Sequence, residues 1–294
     1  MRIFPFLRNY TNLEQSKYLV IGIPYEGYVN SRLGTFKAPY YIRAYSELIE
    51  TFSFYFSKSL EETDLFDIGD IFIKLDYNND KTVYNIYKNL KNILIDTKKI
   101  YVFIGGDHSI TIATFLAIKD IFKDLIYIHL DAHADCHDKY LNQIYSHANI
   151  VRRISEYTNN IISIGVRTLD DFEKGFFFSN IINIDLSNII SLKNILNSIS
   201  SKYIYLSLDI DFFDPCIAGA VSNPVHDGAN FKHFIEILRI LSEYNVVAFD
   251  VVEINPYLDY PNYKTSVLAA QAIKEFIISS SLYSKYKNIW GVFL

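Results

Sequence analysis

The segment Asp131-Ala132-His133-Ala134-Asp135 sets two carboxylates and an imidazole at alternate positions. Asp209-Ile210-Asp211 repeats the alternation with two more carboxylates, and Gly105-Gly106-Asp107-His108-Ser109 supplies a second imidazole. In an extended chain, residues two apart point the same way, so each set can converge. Four carboxylates brought that close repel one another and shift one another's pKa unless cations sit among them. Oxygen and imidazole ligands without a thiolate suit Mn²⁺, Fe²⁺, Co²⁺ or Zn²⁺. Six ligands are too many for one catalytic ion that keeps open positions. Two ions sharing carboxylates are the natural count, and such pairs activate water for attack. A lone Asp at the end of a strand is more often a turn former or helix cap. Asp107 reads as such a cap, or as a partner that orients His108. Three motifs together, each at the end of an apolar run, point to a metal-dependent site.

Positioning those residues requires strands. Short β-rich apolar runs cover 18–23, 65–69, 100–105, 125–131, 161–166, 181–185, 203–211 and 246–254. The three motifs close the third, fourth and seventh of them. Between runs, residues 80–97 place Val83, Ile86, Tyr87, Leu90, Ile93 and Leu94 on one helical face. Residues 37–52, 109–122, 147–157, 230–244 and 265–281 also read as helices. Strands that are apolar on both faces and alternate with helices predict a parallel sheet covered by helices. An open doubly wound sheet and a closed βα barrel both satisfy this pattern, and both place the site at the carboxyl ends of the strands.

Composition narrows the function classes. The chain has 294 residues, 28 basic against 33 acidic, and a formal net charge of −5. With that balance and no basic block, neither nucleic acid nor an anionic membrane is an expected partner. No apolar run approaches the ~18 residues of a membrane span. The amino terminus carries only a four-residue apolar patch, too short for a signal peptide, so a cytoplasmic location is expected. Cys136 and Cys216 form no CxxC pair. No linker, repeat or break in composition interrupts the chain, so a single domain over 1–294 is expected. There are only 11 glycines, so each is the more apt to be needed where it stands.

At these motifs the sequence resembles the ureohydrolase family of arginases, agmatinases and formimidoylglutamases. The segments that carry the resemblance are GGDHS (105–109), DAHAD (131–135), SLDIDFFDP (207–215) and VVEINP (251–256). Weaker support comes from Arg32-x-Gly34, Pro39-x-x-Ile42-Arg43 and FDIGD (66–70). The resemblance implies a three-layer α/β/α fold with a mostly parallel eight-stranded sheet. It also implies two Mn²⁺ per chain and hydrolysis of a guanidino or formimino group. By resemblance the metal ligands are His108, Asp131, His133, Asp135, Asp209 and Asp211, with Asp131 and Asp209 bridging. His147 in Tyr145-Ser146-His147-Ala148 matches the family's proton-shuttling histidine, and Glu253 matches the glutamate that pairs with the substrate guanidinium. Asp135 doubles as a catalytic residue that holds the attacking oxygen. The YSHA turn with paired Arg152 and Arg153, and IGVRTLDDFE (164–173), lean toward agmatinases. Agmatine, giving putrescine and urea, is then the expected substrate. Arginine, guanidinobutyrate and formimidoylglutamate are alternatives, as is a metal-binding relative without catalysis. A homo-oligomer, trimer or hexamer, is implied too.

One segment departs from the family. After Asp214-Pro215 the chain reads CIAGAVSNPVHDGAN (216–230), with Ala220, Val221, Ser222 and Asn223 where small Thr and Gly positions are usual. This loop borders the substrate entrance in the family. His226 and Asp227 are either contacts for a substrate tail or plain surface residues. Of the other histidines, His129 reads as structural, His137 as a support of the metal ligands and His233 as helix surface.

Overall fold

A computed structural model describes residues 5–7, 9–27, 32–201 and 203–283. The chain begins with β1 (Tyr18–Ile23) and α1 (Ala38–Ser46), then a small antiparallel hairpin, β2 (Phe52–Ser53) and β3 (Lys58–Ser59). β4 (Leu65–Asp70), α2 (Asn79–Ile93), β5 (Ile100–Gly105), α3 (Ile110–Ile121) and β6 (Leu125–Leu130) follow. After them come α4 (Ile150–Ile154), β7 (Ile161–Ile164), α5 (Asp171–Asn180), β8 (Ile182–Ile184) and α6 (Ser191–Ser198). β9 (Tyr203–Asp209), α7 (Phe231–Leu241), β10 (Val246–Val252) and α8 (Lys264–Ser280) complete the described fold.

Eight strands form one sheet in the order β4-β1-β5-β10-β9-β6-β7-β8, and every pairing is parallel. The sheet is open rather than a closed barrel. Alternate side chains of each central strand enter different cores. Val102 and Ile104 of β5 pack with α1, α6, α7 and α8, whereas Tyr101 and Phe103 pack with α2, α3, α4 and α5. Burial on both faces explains why these strands read as continuous apolar runs. The result is the three-layer α/β/α architecture.

The helices start where local chemistry permits. The side chain of Asn78 accepts the Lys81 amide and caps α2, whose Val83, Ile86 and Leu90 are buried. Asn230 likewise accepts from the amides of Lys232 and His233 at the start of α7. Two helices, α5 and α6, were not expected from periodicity. Asp170 and Glu173 form a capping box on α5, a signal present in the sequence but masked by three consecutive phenylalanines. The expected helix over 147–157 is a 3₁₀ turn, His147–Asn149, followed by the short α4. Among the described residues, no helix is long and apolar enough to cross a membrane.

Candidate metal centre and active site

The four central strands β5, β10, β9 and β6 all end on one edge of the sheet, and the predicted ligands lie just past their tips. His108 Nδ1 stands 3.2 Å from Asp131 Oδ2, 3.2 Å from Asp135 Oδ2 and 3.3 Å from Asp209 Oδ2. His133 Nδ1 stands 2.9 Å from Asp211 Oδ2 and 3.5 Å from Asp131 Oδ1. The structure thus brings all six predicted ligands into two adjoining clusters. Asp131 contributes one oxygen to each.

The convergence does not come from strand alternation, as the spacing suggested. β6 ends at Leu130, and Asp135 has a left-handed backbone with φ of 50°. Its carbonyl accepts the Val151 amide at 3.1 Å, which fixes this unusual turn. Asp211 lies in a 3₁₀ turn, Ile210–Phe212, started when Asp209 Oδ1 accepts the Asp211 amide at 2.8 Å. Backbone amides also hold the ligands: His133 N–H donates to Asp131 Oδ1 at 2.6 Å and Ala132 N–H to Asp211 Oδ1 at 3.0 Å.

His108 Nδ1 and Asp131 Oδ2 are buried and make no hydrogen bond. A buried acceptor without a donor is costly unless a cation completes it. Burial disfavours charge on His108, but Asp131, Asp135 and Asp209 outweigh it and hold the imidazole well above its usual range. Burial opposes charge on His133 also, and Asp211 with Asp131 still pushes it up to about 12. Asp209 is pushed well up by burial and by its neighbours Asp211 and Asp131. Burial likewise raises Asp211, with Asp131 adding to it. Imidazole nitrogens and carboxylate oxygens gathered in two clusters that share Asp131 fit divalent metal cations.

His129 was assigned a structural place in the sheet, yet its Nε2 lies 2.9 Å from Asp131 Oδ2 and joins the His108 cluster. It sits on β6 two residues before Asp131, which follows the end of that strand. His137 faces Asp170 Oδ2 at 3.2 Å and Glu173 Oε2 at 3.7 Å, on the rim rather than beneath the metal ligands. His233 caps its own helix, accepting the Asn230 amide. The hydrogen bonds of the Asp107 carboxylate do not reach the His108 ring. Asp107 accepts from the amides of Ser109 and Gly27 and ties the β5 tip to the loop after β1.

A cavity of about 210 Å³ opens above the clusters, lined by His133, Asp135, Asp209, Asp211, His147 and Glu253 among others. Glu253 follows β10 directly with φ of 66°, anchored by its own N–H on Gly106 O at 2.9 Å. Left-handed backbone in a non-glycine residue costs about 1–3 kcal/mol and collects at functional sites. The Glu253 Oε1 accepts the His108 amide at 2.7 Å. Burial and nearby Asp107 push this carboxyl well above its ordinary range. His147 also lines the cavity, its buried Nδ1 without a hydrogen bond and its ring edge-on to Tyr140 at 5.0 Å. Ser146 turns its hydroxyl to the Asn149 side chain instead of capping the backbone.

The divergent loop reaches the cavity through Val221, Ser222 and Asn223. His226 and Asp227 are exposed and outside the lining. Arg167 pins this loop: it donates to the carbonyls of Val225 and His226 and, on the other side, to that of Asp211 at 2.8 Å.

An open parallel sheet with a paired carboxylate–imidazole centre at its carboxyl edge is the architecture of the arginase family, whose pattern matches residues 16–279. The chain belongs to that family, whose members are hydrolases acting on amidine C–N bonds. Among its relatives is an agmatinase of Halalkalibacterium halodurans, 28% identical over 283 residues, covering 93% of this chain and 95% of the relative. The agmatine ureohydrolase of Thermoplasma volcanium superposes with a TM-score of 0.83 at 27% identity, over 97% of both chains. The proclavaminate amidino hydrolase of Streptomyces clavuligerus shares the fold, with a TM-score of 0.84 at 24% identity over 96% of this chain and 98% of that one.

Proposed function

We propose that this protein, acting as one domain over 1–294, hydrolyses agmatine to putrescine and urea with two Mn²⁺ per chain. The observation that carries the reading is the pair of clusters joined by Asp131 at the base of a cavity whose walls hold His147 and Glu253. His108, Asp131, Asp135 and Asp209 would hold one ion, and Asp131, His133 and Asp211 the other, with Asp209 reaching both as the family resemblance implies. When bound, the ions supply a water acidic enough to give a nucleophile near neutral pH.

The chain's own residues do the rest. Glu253, fixed through the His108 amide, presents a carboxylate to the planar guanidinium, a geometry suited to paired N–H donors. That contact orients the electrophilic carbon toward the base of the cavity. Asp135 accepts a hydrogen bond from the attacking oxygen. His147 delivers a proton to the leaving amine, since an imidazole exchanges protons readily near neutral pH. The acidic walls favour a cationic substrate over an anionic one. The relatives named agmatinase, which match along nearly their whole length, support this choice.

Purified protein incubated with Mn²⁺ should release urea from agmatine in preference to arginine, guanidinobutyrate and formimidoylglutamate. Turnover of another member of this panel, with agmatine inert, would move the substrate while keeping the reaction. No turnover of any member by the Mn²⁺-loaded chain would replace the enzyme reading with a metal-binding one.

A further inference from the structure

One row of the sheet lies immediately beneath the ligands. Ser163 of β7 pairs in register with His129 of β6, His129 with Ser207 of β9, and Ser207 with Asp250 of β10. Four adjacent strands therefore carry polar residues at one level, and all four are fully buried. Asp250 lies in the interior, and among the described residues no ion pair reaches it. It accepts three hydroxyl hydrogen bonds instead: Oδ2 from Thr111 at 2.8 Å and Tyr205 at 2.6 Å, and Oδ1 from Ser207 at 2.6 Å. Ser207 Oγ in turn lies 3.0 Å from His108 Nε2.

A serine hydroxyl has one proton. With that proton given to Asp250, Ser207 Oγ offers only lone pairs to His108, so Nε2 must carry the ring hydrogen. In the neutral ring, Nδ1 is then a bare lone pair, and Nδ1 is the atom surrounded by Asp131, Asp135 and Asp209. The geometry points to Asp250 as a positioning residue: acting through Ser207, it selects the tautomer and ring angle with which His108 receives a divalent cation. This rests on His108 being a metal ligand, as proposed above. A ligand histidine held through its other nitrogen is oriented in advance, and loss of such support typically weakens metal binding 10–100-fold.

The test is an Mn²⁺ titration of the full chain, with free Mn²⁺ read by electron paramagnetic resonance and the melting temperature of the metal-free chain recorded beside it. Ser207→Ala and Asp250→Asn should each weaken Mn²⁺ binding about 10–100-fold. The double variant should be no worse than the weaker single, because both act through one chain of contacts. Thr111→Val removes a donor to Asp250 without touching Ser207, and it should keep wild-type affinity. Wild-type affinity in Ser207→Ala overturns the inference, as do losses that multiply in the double variant or a Thr111→Val loss equal to that of Ser207→Ala. If Asp250→Asn does not fold, Ser207→Ala against Thr111→Val decides. A wild-type chain that takes up no Mn²⁺ removes the metal reading and this inference together; a wild-type chain that binds while Ser207→Ala binds equally well removes the inference alone.

Discussion

Replacing His147 by Ala separates proton transfer from metal holding, because the ring lines the cavity but stands outside both ligand clusters. Turnover of agmatine should fall by about 10²–10⁴, the range for a lost general acid, while two Mn²⁺ per chain remain by elemental analysis. Metal loss with the ring would assign His147 to the scaffold instead. At this scale the convergence of the candidate ligands was legible because residue type and spacing both carry chemistry: DAHAD at the end of an apolar run has few other uses. The way they converge was not legible. Left-handed backbone at Asp135 and the 3₁₀ turn at Asp211 replace the extended chain that spacing alone suggested. Nor was His129, since a histidine inside an apolar run looks the same whether its ring meets a serine or a carboxylate. Here it meets both, Ser163 on one nitrogen and Asp131 on the other.

The site strands were readable to within a few residues. β1 and β5 coincide with their apolar runs, whereas the runs of β6, β9 and β10 continue past the strand ends by one or two residues. The overrun residues, Asp131, Ile210, Asp211, Glu253 and Ile254, are buried or half-buried although they have left the sheet. The hairpin of β2 and β3, with two residues per strand, is too short to produce a period. Gly106 joins these elements most tightly. Its N–H donates to Ile23 O at 3.1 Å and its carbonyl accepts from Glu253, so it sits between the tips of β1 and β10. A Cβ there would fall 1.9 Å from the Tyr25 carbonyl oxygen, a backbone atom that no side-chain rotation can move. Gly106→Ala should therefore destabilise the chain by about 2–3 kcal/mol, as overpacking does, measured by urea unfolding. Stability within error of wild type would show that the β1 tip yields.

Over the whole molecule, alternation of strands and helices foretold a covered parallel sheet but not whether it closes, since a barrel and an open sheet share that local pattern. Only the strand order decides, and strand order is a property of long-range pairing. That order also separates the site's parts along the chain: Glu253 Oε1 and the His108 amide that it accepts from are 145 positions apart. The ligand cage comes into being only when β5, β10, β9 and β6 lie side by side, so a cation meets nothing worth binding until folding is nearly over. On the proposed function, an ion bound there is a latch and not a nucleus. It should hold the finished chain shut without hastening its formation. In stopped-flow experiments, free Mn²⁺ at a hundredfold excess over its Kd should slow unfolding about 100-fold and leave the refolding rate unchanged. Faster refolding with Mn²⁺ would place the metal early, in a partly formed sheet.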